Sequence, residues 1–253
     1  MVHSMGGEAR LATRGVALAI VALALFAALL FANPAQARSP IEGVTAPTAE
    51  GSWIAQVLYP IAARSKPGAG RIVKKISNAP RYGNGPNNLM VLGTAIGGAG
   101  RPYVKVHIPM RPNGTSAWVP ADYVKLMRTS WRIEVSIGRR ELTVRKSGAI
   151  VRRVKAVVGR PNTPTPRGLF QLAEKWRSPE SYLGPWVIST SAYSNAFSSF
   201  AGGPGVIAIH GRAGSLLAQP LGTAGSNGCV RVDNAQIVFL ARVAIAGTPV
   251  AIT

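Results

Sequence analysis

The 253-residue chain has one cysteine, three histidines and nine acidic residues, set against 29 lysines and arginines. Each scarcity excludes something. A single Cys allows no intrachain disulfide and cannot supply the paired ligands of a zinc ribbon or finger. A glycosidase needs two carboxylates about 5–9 Å apart; Glu134, Glu141, Glu174, Glu180 and Asp233 form no suggestive pair. A Ser-His-Asp hydrolase needs a carboxylate near its His, yet Asp122 and Asp233 are the only Asp residues and no Gly-x-Ser-x-Gly elbow occurs. No Gly-rich phosphate loop precedes a helix. The basic residues are scattered, without a basic–aromatic strip or a nucleic-acid motif, so nucleic acid is not an expected partner. What remains is 47% apolar residues, enough for a packed core of one or two domains.

The N-terminus reads as an address. Arg10 and Arg14 precede an apolar run from Gly15 to Ala32, Asn33 and Pro34 break it, and Ala35-Gln36-Ala37 is a small-x-small cleavage site. That order describes a secretory signal peptide over residues 1–37. If it stays uncleaved, residues 15–32 form a membrane anchor of nearly spanning length. Either way the rest of the chain is expected outside the cytoplasmic membrane, in the cell wall or periplasm. Without residues 1–37 the net charge is +19. Such a charge favours anionic cell-wall polymers in that compartment.

Residues 38–49 read as a flexible leader. Residues 50–127 alternate short apolar stretches with turn residues, predicting strands at 53–59, 71–76, 89–92 and 103–108. From residue 130 the pattern is cleaner. Trp131, Ile133, Val135 and Ile137 alternate with polar residues, a half-buried strand, and two more strands follow across tight turns. Further strands are expected at 186–190, 206–209 and 248–252. Asp233 with Gln236 starts one helix, whose apolar face is Ile237, Leu240, Ala241 and Ala244, with Gly247 as its end. The fold class is therefore mainly β, with one or two short helices.

The chemistry concentrates in two places. His210 ends the apolar strand Val206-Ile207-Ala208-Ile209 and Gly211 follows it. Cys229 lies in Ser226-Asn227-Gly228-Cys229-Val230-Arg231, where Gly228 permits a tight loop with convergent N–H groups. Attack on an amide needs a thiolate, a base to form it and donors for the oxyanion. Cys229, His210 and the loop could supply all three, and a neighbouring imidazole is expected to lower the thiol pKa. A core His and an inert buried Cys remain open as readings, as does a metal site of His210, Cys229 and Asp233.

His210-Gly211, fourteen residues, then Ser226 to Arg231 resembles the signature of the L,D-transpeptidase catalytic (YkuD) family. Thr163-Pro164-Thr165-Pro166-Arg167-Gly168 resembles an upstream segment of that family, and the resemblance runs over residues 130–253. More loosely, residues 50–127, through Tyr103–Ile108 and Ala117–Val124, resemble a bacterial Src-homology-3-like β-barrel. The family resemblance implies an L,D-transpeptidase-type β-sandwich preceded by that small barrel. It implies a cysteine acyltransferase that cross-links peptidoglycan stem peptides 3→3 through a thioester, releasing D-Ala from a tetrapeptide donor, with no cofactor or metal. Alternatives are an L,D-carboxypeptidase, in which water resolves the thioester, and a non-catalytic wall-binding protein. In the implied roles Cys229 is the nucleophile and His210 the base, oriented by the Gly211 carbonyl. Gly228 and Cys229 give oxyanion N–H groups. Arg231, Asn227, Ser226 and Tyr193 are candidates for substrate contact. Nothing in the sequence asks for more than a monomer.

Overall fold

The computed structural model describes residue 1 and residues 39–80, 85–178, 180–199 and 203–253. Beyond Met1, the expected signal segment lies outside the described residues. Among the described residues no helix is long and apolar enough to cross a membrane. Residues 40–253 pack as one unit holding two large β-sheets.

The first sheet has seven strands: β1 (Ser52–Val57), β2 (Ile61–Lys66), β3 (Ala69–Ile76), β4 (Asn88–Ile96), β5 (Pro102–His107), β6 (Ser116–Pro120) and β7 (Val124–Thr129). They run in the order β3-β2-β6-β5-β4-β1-β7. Apolar alternation drives the packing: in β5, Val104 and Val106 are buried, and Val91, Val119 and Ile108 join them in one core. Residues 39–49 are not a free leader. Val44 is buried in this core with Ile41 packed against it, because two apolar side chains here find a surface to cover.

The second part comprises β8 (Trp131–Ser136), β9 (Glu141–Lys146), β10 (Ala149–Lys155), β11 (Val158–Gly159), β12 (Gly168–Arg177), β13 (Trp186–Tyr193), β14 (Val206–His210), β15 (Ala224–Ser226), β16 (Val230–Arg231) and β17 (Pro249–Ile252). Eight of these form a sheet in the order β10-β9-β8-β17-β12-β13-β14-β16, while β11 and β15 pair separately in parallel. Ile133, Val135, Leu142, Val144, Phe170 and Ile209 lead its core. The fold is thus mainly β. Among the described residues it has one α-helix, α1 (Asn234–Val243). The Asp233 side chain accepts from the Ala235 N–H at 2.9 Å and caps it. The helix stops at Val243, earlier than Gly247, because Ala244 is already extended. Gly247 instead turns the chain with φ +88° beside Ile54, where a Cβ would meet Cγ2 at 2.8 Å.

Buried polar contacts join the two sheets. The Gln171 amide accepts from the Met90 N–H at 2.7 Å and donates to the Asn88 carbonyl at 3.1 Å. His107 meets the Ser191 hydroxyl at 2.8 Å and stands edge-on to Phe170. These bonds give the Gln171 amide, the Met90 N–H and the Asn88 backbone carbonyl partners across the junction, which fixes the relative setting of the sheets.

Candidate active site

Strands β14 and β16 run parallel, with Ile209 opposite Val230 and His210 opposite Arg231. Side chains alternate faces along a strand. Ile207, Ile209 and Val230 enter the core, all 2% exposed or less. Ala208, His210 and Arg231 therefore share the other face, and Cys229 ends the loop just before β16. The Ala208 N–H donates to Cys229 Sγ at 3.5 Å, which seats the thiol against the strand that ends in His210. The thiol thus lies at the edge of β14, two residues before His210 in that strand.

Ser226 shapes the loop before the thiol. Its hydroxyl accepts from the Gly228 N–H at 3.1 Å and donates to the Cys229 carbonyl at 2.6 Å. Ser226 is fully buried. Its assignment as a substrate contact is corrected to a loop-shaping role, since its hydroxyl is spent inside the loop. The same bond corrects Gly228 as an oxyanion donor, because its N–H already has a partner. Gly228 is required for another reason. Its φ is +118°, and a Cβ would meet Ile207 Cδ1 at 2.8 Å.

Two hydroxyls that the sequence reading left without a role clamp this loop from outside. Thr165 Oγ1 donates to the Gly228 carbonyl at 2.8 Å and accepts from the Gly159 N–H at 2.9 Å. Thr163 Oγ1 donates to the Ser226 carbonyl at 3.1 Å. Both threonines are buried. A trans peptide is planar, with C=O and N–H pointing opposite ways. With the Gly228 carbonyl turned to Thr165, the Cys229 N–H is aimed away from it. Their place in the run Thr163-Pro164-Thr165-Pro166 was the only sequence signal of this clamp.

His210 Nδ1 lies 2.8 Å from the Gly211 carbonyl. A carbonyl only accepts, so Nδ1 carries the proton and Nε2 keeps the lone pair. Burial pushes the imidazole pKa down to about 4, and the Arg231 charge adds to this. The Gly211 and Leu183 carbonyls act in the opposite sense. Burial also pushes the Cys229 thiol up, against the Ala208 N–H and the Arg231 charge. The expected lowering of the thiol pKa is thereby reversed in this state, because desolvation outweighs the nearby donors. The pair rests as neutral thiol and neutral imidazole.

The other assigned residues have partners of their own. The Asn227 side chain accepts from Arg160 Nη2, so it orients an arginine and is not presented for substrate. Arg231 Nη1 donates to Gln219 Oε1. Tyr193 belongs to the clasp between the sheets. Its hydroxyl donates to the Pro109 carbonyl at 3.2 Å, its backbone bonds the Asn113 side chain, and the Arg111 guanidinium covers its ring. Tyr193 also borders a cavity of about 880 Å³ between the sheets, with Lys75, Glu174 and Trp176, whose lining includes neither Cys229 nor His210. The candidate site is the loop that carries the thiol beside β14, not this cavity. Asp233 is occupied at the helix cap, and no group of three His, Cys, Asp or Glu comes together among the described residues.

Residues 130–252 match the family model of the L,D-transpeptidase catalytic domain, YkuD. The match supports this family for the second sheet and an enzyme of this kind. The Bacillus subtilis protein YkuD, named as an L,D-transpeptidase, is 28% identical over 122 residues, which are 48% of this chain and 65% of that protein. A Bacillus licheniformis YkuD is 28% identical over 123 residues, 66% of its length. The chain thus spans somewhat under two thirds of these curated relatives. Among solved structures, an L,D-transpeptidase from Mycobacterium tuberculosis is 16% identical with a TM-score of 0.42, over 70% of this chain and 94% of that one. The catalytic domain of the Enterococcus faecium L,D-transpeptidase is 20% identical with a TM-score of 0.36, over 49% and 96%. At so low a TM-score neither likeness bears on the chemistry. The Src-homology-3-like resemblance of residues 50–127 is not confirmed.

Proposed function

We propose that the chain is an exported L,D-transpeptidase that forms 3→3 peptidoglycan cross-links through a thioester on Cys229. The observation that carries the reading is the parallel register of β14 and β16. It supports a nucleophile in the loop before β16 and a base, its tautomer fixed, at the end of β14.

The steps follow from the groups present. His210 Nε2 takes the thiol proton as sulfur adds to the carbonyl carbon of the third stem residue. The carbonyl electron pair moves to oxygen, where the Cys229 N–H is the available loop donor. The tetrahedral species collapses, the C–N bond breaks, and the departing D-Ala amine takes the proton from His210. A neighbouring stem amine then adds to the thioester, loses its proton to His210 and expels sulfur, which is reprotonated. The broken amide supplies the energy of the new one, so the reaction needs no nucleotide. Because the pair rests neutral, proton transfer and sulfur attack are coupled, and the thiol is protected from oxidation outside the cell.

The excess positive charge serves attachment to anionic wall polymers, and this attachment weakens as salt is added. The acyl step is tested by intact mass after exposure to a carbapenem-type β-lactam. One adduct, located on Cys229 and missing in Cys229→Ala, is expected. An unmodified native protein contradicts the reading.

A further inference from the structure

Three guanidinium groups gather around the cysteine loop. Arg231 follows Cys229 by two residues, and Arg212 follows His210 by two residues. Arg160 sits over the loop, its backbone N–H donating to the Ser226 carbonyl at 3.0 Å. Their acceptors are all neutral. Arg231 reaches Gln219 Oε1, Arg212 Nη1 reaches the Gln219 carbonyl at 2.6 Å, and Arg160 reaches Asn227 Oδ1. These partners orient the side chains without cancelling their charge. Among the described residues none of the three pairs with a carboxylate, whereas Arg101, Arg132 and Arg145 each do. The Nε atoms of Arg212 and Arg231 are buried and have no partner.

Such an arrangement is costly. Partly buried charge needs compensation, and here like charges crowd together. Arg231 is disfavoured as a cation first by burial, then by Arg160 and Arg212, with only Cys229 acting in its favour. The thiol rests neutral and does not supply the missing charge. A planar fork of N–H donors matches a carboxylate. We infer that Arg160, Arg212 and Arg231 form a carboxylate site beside Cys229, which receives the C-terminal carboxylate of the residue that leaves when the thiol attacks. The second half of that statement rests on the reading under Proposed function. In that reading a tetrapeptide donor ends one residue beyond the bond that breaks. One further residue would carry the carboxylate about 3.5 Å onward. The site therefore selects donors by where they end.

Two measurements on the native protein and on Arg212→Gln and Arg160→Gln test this. The first compares alkylation of Cys229 by iodoacetate and by iodoacetamide, equal in size and chemistry but not in charge. Their ratio is independent of the thiolate fraction. The site predicts a ratio well above that of free cysteine, falling with added salt and falling roughly tenfold in the variants. A native ratio like that of free cysteine, insensitive to salt, overturns the site even if the variants do not fold. The second compares a tetrapeptide donor with its C-terminal carboxamide. Slower consumption of the carboxamide, with the gap closing in Arg212→Gln, supports the assignment to the leaving residue. Equal consumption overturns that assignment. Charge-selective alkylation with neither donor consumed supports the anion site while removing the transpeptidase reading.

Discussion

The Thr165 hydroxyl donates to the Gly228 carbonyl at 2.8 Å, and this bond turns the Gly228–Cys229 peptide so that the Cys229 N–H faces the other way. The hydroxyl lies 63 residues from the carbonyl it holds. Thr165→Val keeps the shape and removes the bond. Acylation of Cys229 by a β-lactam, which develops an oxyanion, is expected to slow by roughly 10–100-fold, short of the loss of a whole donor. Alkylation by iodoacetamide develops none and should change little. Thr165→Ser should restore acylation. Equal slowing of both reactions would show that the bond serves folding alone.

Gly228 is held at φ +118° against Ile207. Gly228→Ala adds a Cβ in a strained backbone region and against a core side chain. A loss of about 1–3 kcal/mol in stability is expected, with β-lactam acylation falling more steeply than the thermal midpoint implies. Urea titration and a stopped-flow acylation trace measure the two effects.

The acid side of the acylation profile is set by His210. Its pKa is about 4, so the ring remains an available base at pH 5, where an ordinary imidazole is mostly protonated. Acylation should hold nearly constant from pH 7 to pH 5 and fall only near pH 4. A midpoint near pH 6.5 would mean that the ring is solvated in the working enzyme.

Stability has its own acid dependence. His107 and His210 are both buried, and burial lowers each to about 4. In the unfolded chain each takes its proton near the ordinary value of 6.5, so the unfolded state binds more protons as pH falls. Stability is complete above pH 6.5 and declines toward pH 4, by up to about 3 kcal/mol for each ring. The urea midpoint should drop between pH 7 and pH 4.5. In His107→Gln about half of that drop should vanish while β-lactam acylation persists.

Much of this was legible in the sequence. The alternation of Trp131, Ile133 and Val135 gave a strand, and Asp233 gave the helix start, because both signals are local. His210 and Cys229 were legible because a strand end and a Gly-containing loop leave short-range marks. Strand β12 was less so. It begins at Gly168 and shifts register between Leu172 and Glu174, which breaks the alternation. The roles of Ser226, Asn227 and Tyr193 depend on partners elsewhere in the fold or on loop geometry. Asn227 is claimed by Arg160, and Tyr193 by Asn113, Pro109 and Arg111. Pairings across 60 to 90 residues follow from sheet order, which no local pattern encodes. The pKa of the thiol was misjudged for a related reason: proximity to a histidine is a local inference, whereas burial is a property of the whole fold.

The most direct measurement is mass spectrometry of the products formed by residues 38–253 from a disaccharide-tetrapeptide, with Cys229→Ala in parallel. A dimer lacking one D-Ala, carrying a 3→3 bond and absent with the variant, is the predicted result. Tripeptide monomer alone would contradict cross-linking and make water the acceptor. The same dimer from Cys229→Ala would contradict the thioester account altogether.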